Sequence, residues 1–371
     1  MNLPYRMFTA IFGMIFALGA TAVRPNPVAN TSAGKVTSSA PMLEPRSGHT
    51  ATLLPNGRVL ITGGMRRNQD FYKSAELYDP STARFTRTGD MSIGRVGHMA
   101  VLLRSGKVLI AGGWIGHACT DSAEIYDPRT AKFTAIPARM TTARGDARAT
   151  LLADGDVLIT GGGQSDSPGG IASAEIFHET DMSFHAVPPM HFARVSHTST
   201  LLQDERVLVV GGRGERVNEV AEIFDPKTQR FTQTGSLITP RYKHTAGLLP
   251  DGRVLVAGGS DERDWSGNLS SAEIFDPKTW KFTLAESLST ARFKLPEDAA
   301  ALGSGKLLIA GGAKDVDIFD PLTGKFASAE GRISDSWHFM TETRLKDGTV
   351  LLAGGYANND RATAQTWIYK P

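Results

Sequence analysis

Four histidines, His49, His98, His197 and His244, occupy one equivalent position, each fourteen residues before a pair of glycines. Neutral imidazole is a good ligand for copper and zinc, so these four residues are the first candidates for chemistry in the chain. Three residues ahead of them lie Arg46, Arg95, Arg194 and Arg241, with Arg144 and Arg292 at matching places in other copies. Six guanidinium groups converging on one place would recognise carboxylates or acidic sugars through bidentate hydrogen bonds. A scaffold reading competes, because Glu76, Glu124, Glu175, Glu222, Glu273 and Asp317 recur in step with the arginines. Charges that recur together suit internal ion pairs, since buried charge normally needs a partner. The last copy lacks both charges, with Trp337 near the arginine position and Gln365 in place of the acid.

These residues are positioned by a repeat. A double glycine recurs seven times, from Gly63-Gly64 to Gly354-Gly355, about 50 residues apart. Before it comes a hairpin such as His49 to Thr62, turning at Asn56-Gly57, and Asn-Gly or Asp-Gly between apolar runs is a strong signal for that turn. After it come a loop, a third strand typified by Ser74 to Pro80, and a fourth marked by Phe85-Thr86. Asp-Pro ends the third strand because proline cannot donate to a ladder. The period and register predict an all-β, seven-bladed propeller of four-stranded blades.

The pattern of Arg-x-x-His, Gly-Gly, Ala-Glu-Ile-Tyr-Asp-Pro and Phe-Thr resembles the bacterial branch of the kelch repeat family over nearly the whole mature chain. That family includes adaptors, sugar epimerases and copper oxidases, so the resemblance implies the fold while leaving the activity to the site. In the galactose oxidase group, which shares the repeat, two copper ligands come from the histidine position. The resemblance therefore implies His49, His244 and Tyr242 as copper candidates, although the cysteine cross-linked to a tyrosine has no counterpart on an inner strand. No cofactor is expected from the residues themselves, and copper is the alternative. Loop residues His117, Cys119 and Asp121 are a thin basis for zinc, and no nucleophile elbow, phosphate loop or His-Glu-x-x-His segment occurs.

The last copy stops after its third strand, at Trp367 to Pro371, and Lys35 to Arg46 aligns without a gap on Arg84 to Arg95. The amino-terminal segment is thus expected to supply the outer strand of blade seven, which would remove free sheet edges. The chain of 371 residues divides into a signal peptide over 1–22, a short segment over 23–34 and a single propeller over 35–371. Arg6, the apolar run from Met7 to Ala20 and Ala20-Thr21-Ala22 carry the leader expectation, and the run is too short to favour a spanning helix. A periplasmic or secreted monomer without membrane insertion after cleavage follows. A net charge of +2 with no basic block argues against nucleic acid.

Strands that agree while loops differ make the strands scaffold and the loops the binding elements. The post-glycine loops contribute Arg66, Arg67 and Tyr72 in blade one, Trp114 and His117 in blade two, Arg213 in blade four, and Arg263 and Trp265 in blade five. Blade six has almost no such loop, which predicts a notch in the rim. The expected role is binding or scaffolding, with a protein or glycan recognised on one face. A copper oxidase or carbohydrate epimerase using the same face is the alternative.

Overall fold

The second strand of a typical repeat, such as Val59–Thr62 or Val207–Val210, is a run of apolar, mostly β-branched residues, and every one of them is buried. Such a run can be covered on both faces only inside a stack of sheets, and that is where the chain places it. The computed structural model describes residues 33–67, 70–164, 169–357 and 361–371. The expected leader, and Asn68 and Gln69 of the blade-one loop, lie outside the described residues.

Seven four-stranded antiparallel sheets form the fold. Blade one runs Thr50–Leu53, Val59–Thr62, Ala75–Asp79 and Arg84–Arg87, and its neighbours repeat this order. The innermost strands adjoin one another in sequence, and the first adjoins the last, so the ring is closed. Seven apolar clusters fill the gaps between successive blades. One of them joins Val59, Ile61 and Phe85 of blade one to Leu345 and Leu351 of blade seven. On the outer strands an aromatic pair recurs, from Tyr78–Phe85 at 4.9 Å to Phe319–Phe326 at 5.0 Å. In blade seven Lys35–Ser39 pairs antiparallel with Thr366–Lys370, placing Val36 opposite Tyr369.

Two rings of backbone hydrogen bonds tie the blades together. In the first, the second glycine of each pair donates its N–H to the carbonyl at the arginine position of the next blade. The bonds run from Gly64 to Arg95 at 2.9 Å around to Gly355 and Arg46 at 2.8 Å. Glycine is required at the first position of the pair by space as well as by conformation: at Gly63 (φ 60°) a Cβ would lie 2.6 Å from the Arg95 carbonyl oxygen and 2.7 Å from Cε1 of His98.

The second ring circles the channel mouth. Gly48, Gly97, Asp146, Ser196, Lys243, Lys294 and Phe339 all adopt φ between 50° and 60°. Gly97 donates to Gly48, Asp146 to Gly97, Ser196 to Asp146, Lys243 to Ser196, Leu295 to Lys243, Phe339 to Lys294 and Gly48 to Phe339, at 2.8–3.3 Å. Non-glycine residues held in this left-handed region carry strain that the surrounding structure must over-determine, and such strain concentrates at functional sites.

Removing residues 33–45 strips the outer edge from Thr366–Lys370 and leaves Tyr369 without Val36 beside it. The expected result is a melting temperature lower by about 10 °C or more, several kcal/mol at roughly 2 °C each. A circular-dichroism melt of the truncated chain checks it, and an unchanged midpoint would show that the ring holds without this strand.

Candidate functional site

The six arginines do not face the channel. Arg46, Arg95, Arg144, Arg194, Arg241 and Arg292 are each 0% exposed. Each is paired with the acid of its own blade, from Arg144–Glu175 at 2.7 Å to Arg46–Glu76 at 3.1 Å, and Arg292–Asp317 is 2.9 Å. Further guanidinium protons go to backbone, as where Nη1 of Arg194 donates to the carbonyls of Gly211 and Val220, while Nε of Arg95, Arg194 and Arg241 is buried without a partner. The ligand-clamp reading of these six residues is corrected by burial: the guanidinium groups are enclosed in the scaffold and do not reach the channel. The acid opposite takes up the neighbouring connection, with Glu76 accepting from the N–H groups of Leu43 and Glu44. The register also revises blade seven. Leu352 pairs with Trp367 where Ile61 pairs with Glu76, so Trp367, not Gln365, stands in the acid's place. Its ring lies 6.5 Å from that of Trp337, an aromatic pair substituting for an ion pair.

The four equivalent histidines sit between blades. Nε2 is hydrogen-bonded to Thr341 Oγ1 in His49 (3.1 Å), to Thr62 Oγ1 in His98 (3.0 Å), to Thr160 Oγ1 in His197 (2.8 Å) and to Thr198 Oγ1 in His244 (3.0 Å). Each of these threonines belongs to the preceding blade, counting round the ring. Burial and then the nearby arginine push His49 down to about 3, and the other three are lowered by the same causes, so all four are neutral seam residues. Tyr242 donates its hydroxyl to Asp264 and Cys119 donates to the Gly163 carbonyl at 3.1 Å. The copper candidates are therefore held apart and already engaged. Among the described residues no three His, Cys, Asp or Glu side chains converge as a metal set, His117, Cys119 and Asp121 included. The residues present do not fit a copper centre.

The charged residues that line the channel are ones that the repeat pattern does not mark, and they stand beside His49 and His98. Beneath the mouth ring lies a cavity of about 230 Å³ bounded by Asp146, Arg148, Lys243, Glu297, Asp298 and Glu342, with Thr50, Ser196 and Thr341 between them. Arg148 of blade three reaches Glu297 of blade six and also donates to the carbonyls of Ala147 and His197. Glu297 and Asp298 reach the channel because blade six carries two extra residues between Leu295, which packs on Gly258 where other blades place the histidine, and a two-residue inner strand, Ala300–Ala301. Glu342 binds the N–H groups of Ala310 and Ala300, replacing ladder bonds that the short strand cannot make. Enclosure by the channel walls pushes Glu297, whose side chain is 51% exposed to the channel, up to about 7 against the pull of Arg148, and pushes Glu342 up to about 8 against its two backbone donors. The one available signal was departure from consensus: blade three reads Asp146-Ala147-Arg148 where blade one reads Gly48-His49-Thr50.

The loop candidates divide. Trp114 crosses to the mouth, its Nε1 donating to Asp146 Oδ2 at 2.8 Å. Asp146 in turn requires Gly97, where a Cβ would come 2.4 Å from its Oδ1. Trp265, 46% exposed, lies over the Lys294 ammonium at 3.7 Å, with Phe293, Phe339 and Tyr356 around the same group. Tyr72 stacks beneath Arg46, at 4.8 Å, and Arg213 lies over Tyr242 at 5.8 Å. Arg66, Arg67 and His117 are exposed on the rim, and exposed Arg263 is bound to Asp261 of its own loop. The structure thus brings Trp114, Trp265 and Tyr242 to the ring and leaves the other loop candidates outside it.

A profile of the Kelch motif matches residues 96–139 and 241–289. The chain is a kelch-repeat β-propeller. Among solved structures this kelch propeller is similar to "Novel fungal alcohol oxidase with catalytic diversity among the AA5 family, in complex with copper", with a TM-score of 0.72 and 15% identity over 91% of this chain and 76% of that one. At that identity the likeness is one of fold. No curated protein matches the chain by sequence. The kelch propeller fold supports a binding or scaffolding role.

Arg241→Ala leaves Glu273 buried without its partner and should destabilise the protein by about 3–5 kcal/mol in urea unfolding. Acid provides a second check. Burial opposes ionisation of Glu222, but Arg194 and the His191 N–H outweigh it and lower the carboxyl below its ordinary value. That stability is present at neutral pH and is lost as pH falls through the lowered value, so Glu222→Gln should flatten the acid limb of a stability–pH curve. An unchanged acid limb would remove the pair from the ledger.

Proposed function

We propose that this kelch-repeat β-propeller is a binding protein that takes a glycan at the mouth of its central channel. The observation that carries the reading is the mouth itself. Trp114 and Trp265 stand beside Asp146, Lys243 and Lys294, around the opening of a cavity lined by both signs of charge. Flat aromatic surfaces next to fixed polar groups suit sugar rings, whose apolar faces stack while their hydroxyls hydrogen-bond. A cavity of about 230 Å³ falls below the roughly 300–1,000 Å³ of drug-sized pockets, so one sugar unit would enter while the rest of the glycan lies across the loops. The residues over 1–22 support a periplasmic or secreted address for a monomeric mature chain, and no helix among the described residues is long and apolar enough to cross a membrane.

One observation favours an enzyme as second reading. Glu297, placed near 7 by its burial, stands against Arg148 in the cavity, and a carboxyl poised near neutrality can exchange protons with a sugar hydroxyl. Acid–base chemistry of an epimerase kind suits this set better than copper chemistry, for which the ligand residues do not fit.

Glycan-array screening followed by titration calorimetry tests the proposal. Trp114→Ala and Trp265→Ala should each weaken the best glycan by about tenfold or more, as for an aromatic anchor worth over about 1 kcal/mol. Full affinity in both variants would sink the mouth as the binding site. Copper loading followed by dialysis should leave the protein without stoichiometric metal, and His244→Ala should lower its melting temperature instead. Bound copper lost in that variant would return the oxidase reading.

A further inference from the structure

The cavity below the mouth ring carries more acid than base. Asp146 enters from blade three, Glu297 and Asp298 from blade six, and Glu342 from blade seven, against Arg148 and Lys243. Lys243 is already bound to Asp264 on the rim, at 3.1 Å. Arg148 is shared between Glu297 and two backbone carbonyls, and its side chain is only 10% exposed. The protein thus already lodges one organic cation of its own in this channel. Asp298 is the unmatched group. Among the described residues its carboxyl accepts no hydrogen bond and is met only by the charge of Arg148, and it borders both the upper cavity and a second one of about 310 Å³ below, lined by Thr150, Ser199 and Thr200. Among the described residues the acids do not converge three at a time on a point, as a metal ion would need. They are spread around a space that a cation the size of one sugar ring would fill.

We propose that the cavity is a site for a compact organic ammonium ion of amino-sugar size, held by Asp146, Glu297, Asp298 and Glu342. This inference rests on the glycan reading above and narrows it. The ammonium would donate to Asp298 and its neighbours, while the ring hydroxyls meet Thr50, Ser196 and Thr341. Burial raises all four carboxyls, Glu297 to about 7 and Glu342 to about 8, with Arg148 pulling Asp298 and Glu297 back down. The groups facing Glu297 are Arg148, Asp146 and Asp298, with Glu342 and Lys243 on the walls, and Arg292 lies behind Glu342. Glu297 and Glu342 are therefore partly protonated near neutrality. A cation favours the ionised carboxyls, so its binding releases protons and tightens as pH rises through this range.

Titration calorimetry on the full mature chain, with 6-amino-6-deoxyglucose, glucose and putrescine as probes, decides the matter. The amino sugar keeps its alkylammonium charge across the range tested. It should bind at least about tenfold more tightly than glucose, a charged hydrogen bond being worth that much or more, and more tightly near pH 8 than near pH 6. Heats in phosphate and Tris should differ by the released protons. Asp298→Asn should weaken the amino sugar by about tenfold and shift the melting temperature little, because that carboxyl accepts no hydrogen bond from the scaffold and meets Arg148 only through its charge. Equal binding of glucose and the amino sugar would overturn the ammonium inference while leaving the glycan reading intact. Binding of putrescine without either sugar would uphold the ammonium site and overturn the glycan reading. Silence from all three probes, or full affinity in Asp298→Asn, would overturn the inference.

Discussion

A fully buried guanidinium facing a buried carboxylate, repeated six times, is the constraint around which the other parts of this propeller are arranged. The arginine side chain satisfies the carbonyl of the first glycine and the acid of its own blade, while its backbone carbonyl receives the second glycine of the blade before. Arginine and acid must therefore occur together, because either alone would leave a buried polar group unpaired. The histidine seam follows from the same packing, since the ring of His98 fits only above a residue without a side chain at Gly63. Blade seven shows that the geometry does not demand charge. Trp337 and Trp367 fill the place with apolar surface, in keeping with buried ion pairs being replaceable by well-packed hydrophobic groups but intolerant of losing one partner.

Because the scaffold uses its conspicuous polar residues internally, specificity moves to positions where copies disagree. The mouth ring has one backbone conformation in all seven blades, yet its residues run from glycine in blades one and two to aspartate, serine, lysine and phenylalanine elsewhere. Uniform backbone with varied side chains is how a symmetric ring acquires an asymmetric opening. The two extra residues of blade six, within 296–299, then break the symmetry of the channel below, at the expense of a shortened inner strand that Glu342 must cap.

The fold was legible because period and turn chemistry agree: glycine pairs, Asn-Gly turns and Asp-Pro strand ends recur in register, and local signals that agree across seven copies leave few topologies. The arginine–acid correspondence was also visible, though not which of its two readings applied, since burial is a property of the assembled ring. The site was harder to read for the same reason that the fold was easy. Recurrence draws attention to His49 and Arg46, whereas Arg148, Asp298 and Glu342 appear once each and become neighbours only when blades three, six and seven meet around the axis. Trp367 was hidden by register, since matching the last copy by eye slides Gln365 into the acid's place and only the pairing with Leu352 corrects it.

The aromatic pair in blade seven gives the ring a point of closure without an ion pair. Six blades hold a buried arginine and acid at this place, but the blade joining the two ends of the chain holds Trp337 and Trp367 instead. The clasp therefore rests on apolar contact beside the pairing of the first strand with the last, and losing one member of the aromatic pair strands no buried charge, as losing one partner would in each of the other six blades.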